Sequence, residues 1–173
     1  MMNHENPMNA LSHSEKHCDC EPKILIAEDN VFNMMAVVSI IMDKYKIKPI
    51  EAINGKIAID MFKEAMNKPC KCPNRAYKLI FMDINMPIKD GYQATEEILK
   101  MVEAEERRIK VLKNISADGA DSKFCSIVAL TSYTTNDVEA RCLKIGMKRV
   151  IFKPLNAEML KECIDKYFYG PFK

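Results

Sequence analysis

A chain of 173 residues, 48% hydrophobic and 29% charged, has the size and composition of one soluble globular domain and is too short for two ordinary ones. A net charge of +2 without a basic stripe argues against nucleic-acid binding, and no apolar run approaches the roughly 20 residues of a membrane-spanning helix. Seven cysteines, an odd number, do not make a short secreted disulfide framework, so reduced thiols in a cytoplasmic protein are the plain reading.

Residues 1–22 are polar, hold His4, His13 and His17, and lack a periodic apolar pattern, so a mostly disordered tail is expected. Met1 to Ser14 has no hydrophobic segment and does not read as a signal peptide. From Lys23 onward, strand and helix patterns alternate, which predicts a parallel sheet covered on both faces. The first strand is Lys23 to Ala27. A helix follows, capped by Asn30, with Met34, Val37, Val38, Ile41 and Met42 on one face. Strand two lies near Lys48 to Ala52, and Asn54-Gly55 turns the chain into a helix carrying Ile57, Ala58, Met61, Phe62 and Ala65. An irregular Cys- and Pro-containing connection over 66–77 leads to strand three, Lys78 to Asp83.

Pro87 and Asp90-Gly91 shape the loop into a third helix, Tyr92 to about Arg108, whose charged end reads as a solvated face with Glu103 and Arg107 at i, i+4 spacing. A long polar connection, 109–124, precedes strand four, Cys125 to Thr131. The fourth helix is Asn136 to Ile145 with Gly146 as its C-cap, strand five is Arg149 to Phe152, and the fifth helix runs from Ala157 to about Phe168. Only 169–173 remain, with no output domain expected after them.

The chemistry gathers at strand ends. Ile24-Leu25-Ile26-Ala27 runs into Glu28-Asp29, Phe81-Met82 into Asp83, Val128-Ala129-Leu130 into Thr131-Ser132, and Val150-Ile151-Phe152 into Lys153-Pro154. Open parallel sheets bind ligands beyond the carboxyl ends of their strands. Carboxylates collected there repel one another unless a hard divalent cation lies between them, and Mg²⁺ suits one or two carboxylates plus phosphate oxygens. Acid, acid, hydroxyl and cation in that order make a phosphoryl-acceptor site.

Glu28-Asp29, the stretch Met82-Asp83-Ile84-Asn85-Met86-Pro87 with Asp90-Gly91, Leu130-Thr131-Ser132 and Phe152-Lys153-Pro154 resemble the response-regulator receiver (CheY-like) domain. The similarity is strongest to receivers of eukaryotic-type hybrid histidine kinases and covers 23–168. It implies a flavodoxin-like (βα)5 doubly wound parallel sheet with strand order 2-1-3-4-5. It also implies a receiver of a two-component phosphorelay that takes a phosphoryl group from phosphohistidine, switches conformation and is no turnover enzyme. A histidine kinase or a histidine-containing phosphotransfer protein would be its partner. By the same resemblance Asp83 is the phospho-acceptor, and Asp29, Asp83 and the Asn85 backbone carbonyl are the Mg²⁺ ligands, with Glu28 in support. Thr131 and Lys153 would contact the phosphoryl group, and the Lys153–Pro154 peptide would be cis.

Three departures stand out. The aromatic usual three residues before the lysine is replaced by Val150, so the switch must run through the backbone at Thr131 to Asn136 and the fourth helix. Tyr133 puts a ring near the site mouth, and the connections at 66–77 and 109–124 exceed what the family needs. Two other functions compete. One is a degenerate receiver used as a docking module. The other is an aspartate-nucleophile phosphohydrolase of the haloacid-dehalogenase kind, although Asn85 stands where that class has its general acid. Finally, Cys18-x-Cys20 precedes strand one and Cys70-x-Cys72 precedes strand three, so both pairs are expected at the sheet end opposite Asp83. Reduced thiols without metal are the plain reading. The alternative is a structural Zn²⁺ held by Cys18, Cys20, Cys70 and Cys72, with His17 as a substitute ligand.

Overall fold

Five apolar runs form the strands of the computed structural model, which describes residues 20–68, 70, 72, 75–113 and 124–170. They are β1 Lys23–Ala27, β2 Ile50–Ala52, β3 Tyr77–Asp83, β4 Ser126–Thr131 and β5 Arg149–Phe152. Between them lie α1 Val31–Tyr45, α2 Gly55–Met66, α3 Gly91–Lys113 and α4 Asn136–Lys144, and α5 Ala157–Cys163 closes the fold, running on as a π-helical segment, Ile164–Tyr169. The strands pair in parallel in the order β2-β1-β3-β4-β5. This is the flavodoxin-like arrangement that the sequence implied.

Side-chain alternation along the strands divides the core in two. Leu25, Ile80, Met82, Ile127 and Ala129 pack with Ala58 and Phe62 of α2 and Ala94, Ile98 and Val102 of α3. Ile24, Ile26, Leu79, Phe81, Val128 and Leu130 pack on the other face with Met34, Val37 and Ile41 of α1 and Leu160 and Phe168 of the closing helix. Phe81 is fully buried, so truncation to alanine costs about 3–5 kcal/mol.

Local chemistry sets the helix ends. The Asn30 side chain accepts from the amides of Phe32 (3.0 Å) and Asn33 (3.1 Å), so Asn30 and not Asp29 caps α1. Asn54 and Asn156 cap α2 and α5 in the same way. α4 ends in a Schellman turn: Gly146, at φ 104°, lets the Met147 amide donate to the Cys142 carbonyl at 3.1 Å. β2 is shorter than the sequence suggested, and α3 is longer, reaching Lys113 rather than Arg108.

The charged end of α3 holds a buried ion-pair cluster. Glu105, 9% exposed, pairs with Arg75 (2.5 Å) and with Arg108, and Arg75 is itself 3% exposed. The charged end of α3 is therefore an anchor as well as a solvated face. The tail over 1–19 and the connection over 114–123 lie outside the described residues. Among the described residues no helix is long and apolar enough to cross a membrane.

Candidate functional site

Register brings the strand ends together. Asp83 pairs with Leu130, Thr131 with Phe152 and Ala27 with Met82, so Glu28, Asp83, Thr131 and Lys153 emerge at one edge of the sheet. The Asp83 carboxylate is 4% exposed; its Oδ1 accepts from the Asn85 amide (3.0 Å) and its Oδ2 from Lys153 Nζ (2.7 Å). Lys153 Nζ also lies 2.7 Å from Glu28 Oε2, while Glu28 Oε1 accepts from Asn33 Nδ2 at 3.0 Å. The Lys153 amide donates to the Thr131 carbonyl at 2.7 Å, and the Lys153–Pro154 peptide is cis. Thr131 is fully buried, and its Oγ1 accepts from the amide of Tyr133 (3.0 Å), whose ring is exposed.

Charge is out of balance here. Carboxylate oxygens of Glu28, Asp29 and Asp83 lie within 4.8 Å of one another. At such separations each like-charged pair costs about 3–4 kcal/mol at an effective dielectric near 20. One ammonium faces three carboxylates, leaving a formal charge of −2. Burial raises the Glu28 pKa, against the opposing pull of Lys153 and Asn33. Burial works to lower that of Lys153, yet its bonds to Asp83 and Glu28 hold it above the usual value. Glu28 Oε2 is buried and accepts no hydrogen bond of good geometry among the described residues. An all-oxygen donor set with an excess of two negative charges suits a hard divalent cation.

One supporting residue escaped the sequence reading, and a second was read only as a turn residue. Asn33, on the first turn of α1, orients Glu28. Gly91 does more than shape a loop: a Cβ there would lie 2.2 Å from the Asp83 carbonyl oxygen and 2.7 Å from Ile84 Cα. Only glycine lets α3 start against the backbone at the end of β3, with the Gly91 amide donating to the Ile84 carbonyl at 3.1 Å. The Asp90-Gly91 pair was the available signal. At the departure noted above, Val150 is 8% exposed and packs in the core beside Ala129.

At the opposite end of the sheet, the Sγ atoms of Cys20, Cys70 and Cys72 lie within 4.8 Å of one another. Cys18 lies outside the described residues.

The chain is 31% identical over 151 residues to histidine kinase 3 of Arabidopsis thaliana, a match covering 86% of this chain and 14% of that protein. It is 32% identical over 144 residues to histidine protein kinase 1 of Candida albicans, covering 83% of this chain and 5% of that protein. It thus spans a small part of the length of these relatives. Among solved structures it resembles a Saccharomyces cerevisiae complex of the histidine phosphotransfer signaling protein Ypd1 with the receiver domain of its downstream response regulator Ssk1. That match has a TM-score of 0.63 and 26% identity, and covers 85% of this chain and 88% of that one. The fold also matches the receiver domain of sensor histidine kinase PA1611 from Pseudomonas aeruginosa, with magnesium coordinated in its active site cleft. The TM-score there is 0.58, with 23% identity and coverage of 86% and 98%. Residues 24–165 match the response regulator receiver domain, and the chain belongs to that family.

Proposed function

We propose that this chain accepts a phosphoryl group from phosphohistidine onto Asp83 and transmits that event through the β4–α4 connection. The observation that carries the reading is the buried Asp83 carboxylate paired with Lys153 at 2.7 Å at the carboxyl end of a parallel sheet. A carboxylate oxygen of Asp83 attacks phosphorus, the phosphorus–nitrogen bond breaks, and the imidazole leaves with the electron pair and takes up a proton. Asp29, Asp83 and the Asn85 carbonyl would hold Mg²⁺, with Glu28 supporting them. Bound there, the ion supplies charge neutralisation and phosphate orientation.

The chain's own residues do the rest. Lys153 leaves its carboxylate partners for a phosphoryl oxygen, a role suited to a point charge on a flexible stem. The Thr131 hydroxyl, already anchored by the Tyr133 amide, turns its proton toward the new anion. Val150 is β-branched and packed, so it has no swinging ring to offer; the shift passes along 132–136 into α4. α4 suits that task because Cys142 is its one buried residue and its N-cap, Thr135, makes no side-chain cap bond. The product is a labelled protein and not a turnover enzyme.

A partner is proposed on the same grounds. Val31 (63% exposed), Phe32 (83%) and Met35 (62%) form an apolar face at the start of α1, beside Asp29. A histidine-containing phosphotransfer protein, or the phosphohistidine-bearing domain of a kinase, would dock on it. Acetyl phosphate with Mg²⁺ tests the chemistry: stable label on Asp83 is expected, continuous phosphate release identifies a hydrolase, and no label identifies a docking module. Phe32→Ala should slow transfer from a protein donor and leave labelling by acetyl phosphate unchanged.

A further inference from the structure

We propose that Cys20, Cys70 and Cys72 are ligands of a structural Zn²⁺ that pins the segment before β1 to the loop before β3. The proposal is independent of the phosphoryl chemistry. Four thiolates around zinc at bonds of about 2.3 Å place their sulfurs about 3.8 Å apart. Three Sγ atoms from two separate segments already lie within 4.8 Å of one another. Contraction by about 1 Å closes the site. A Cys70–Cys72 disulfide would use two of these sulfurs and leave the convergence of Cys20 without a purpose.

The surroundings suit a thiolate cluster. The Cys72 amide donates to Cys70 Sγ at 3.2 Å, and such a bond favours the anionic sulfur. Buried Arg75 donates to the Cys70 carbonyl at 3.1 Å while it pairs with Glu105, so the loop is fixed to α3 before any metal arrives. Lys23, on β1, stands close enough to Cys20 for its ammonium charge to act on the sulfur. The other described cysteines differ: Cys125, Cys142 and Cys163 are buried, and burial raises their pKa values, that of Cys163 to about 11. Those three are core fillers.

The three described sulfurs leave the fourth position of a tetrahedral site to a further thiolate, an imidazole or water. On binding, each thiol gives up its proton, and no electron is transferred.

The test uses the full chain, purified reduced and desalted after growth with zinc. Elemental analysis should find about one zinc per chain, unchanged in Asp83→Asn, which excludes the carboxylate site as its holder. Removing the metal and adding Co²⁺ should give the intense visible bands of tetrahedral cobalt–thiolate. Cys70→Ser/Cys72→Ser should lose the zinc and melt at a lower temperature. The cobalt spectrum of the unaltered protein decides the matter even if that variant misfolds. Metal-free protein with no cobalt bands, zinc lost in Asp83→Asn, or a disulfide formed among these cysteines in place of metal binding would overturn the proposal.

Discussion

At the carboxyl end of β3, Asp83 meets Glu28, Asp29 and Lys153. At its amino end, about 20 Å back along the strand, the preceding loop carries Cys70 and Cys72 to Cys20. Both ends concentrate groups that are anionic when ionised, and they differ in donor chemistry. Oxygen donors around a single lysine carry excess negative charge and, on the function proposed above, exchange ligands as phosphate comes and goes. Sulfur donors held by backbone hydrogen bonds and a buried arginine make a site suited to one soft or borderline ion kept in place. On the two proposals above, the same strand carries a site for chemistry at one end and a site for attachment at the other.

The largest effect should come from the carboxyl end. Asp83→Asn is expected to abolish Mg²⁺-dependent labelling, since an amide is no nucleophile, while circular dichroism and zinc content stay as they were. Labelling at the unaltered level would remove Asp83 from the mechanism. Conversely, stripping metal from the cysteine end should lower the melting temperature and leave Asp83 labelling, measured in excess Mg²⁺, intact. Lost labelling would show that the two ends are not independent.

Next in size is the ion-pair anchor beside the cysteine end. The bonds from Arg108 and Arg75 hold the Glu105 carboxyl down at about 2, against its ordinary value near 4.5. Because the folded value is the lower one, this stabilisation is complete above about pH 4.5 and disappears as pH falls toward 2. Glu105→Gln should cost about 2 kcal/mol at neutral pH, with the gap to the unaltered protein closing across that window. Urea melts at several pH values measure it; a gap independent of pH would rule out the charge as its source.

A smaller change concerns Ile88, exposed at φ 68° in the loop after the acceptor, a conformation costly for a β-branched residue. Ile88→Asn should raise stability by about 1 kcal/mol. No gain in a thermal melt would mean that the loop relaxes without strain. Smallest is Tyr133→Ala, which should speed the loss of phosphate from Asp83 a few-fold by opening the in-line approach to water. Equal or slower decay would clear the ring of that role.

The strand ends were legible because each apolar run stops at a polar residue of distinct chemistry, and a parallel sheet must bring such ends together. Hence β1 and β5 were placed to the residue, and Lys153 meets Asp83 as expected. Arg75 and Glu105 were not legible. They are 30 residues apart, and nothing local marks an arginine before β3 as the partner of one glutamate in a helix full of charges. Gly91 was visible as a turn residue, but its contact with Asp83 depends on how a helix start packs against a strand end.

That contact has a mechanical consequence. On one side of Asp83 the start of α3 presses on the strand backbone with no room even for a methyl group. On the other, residues 132–137 are exposed and lead into a helix with a single buried residue. Asp83 sits between a stiff wall and a compliant one. On the function proposed above, charge added at Asp83 would push on both, and displacement would be steered toward α4 by the stiffness of its surroundings.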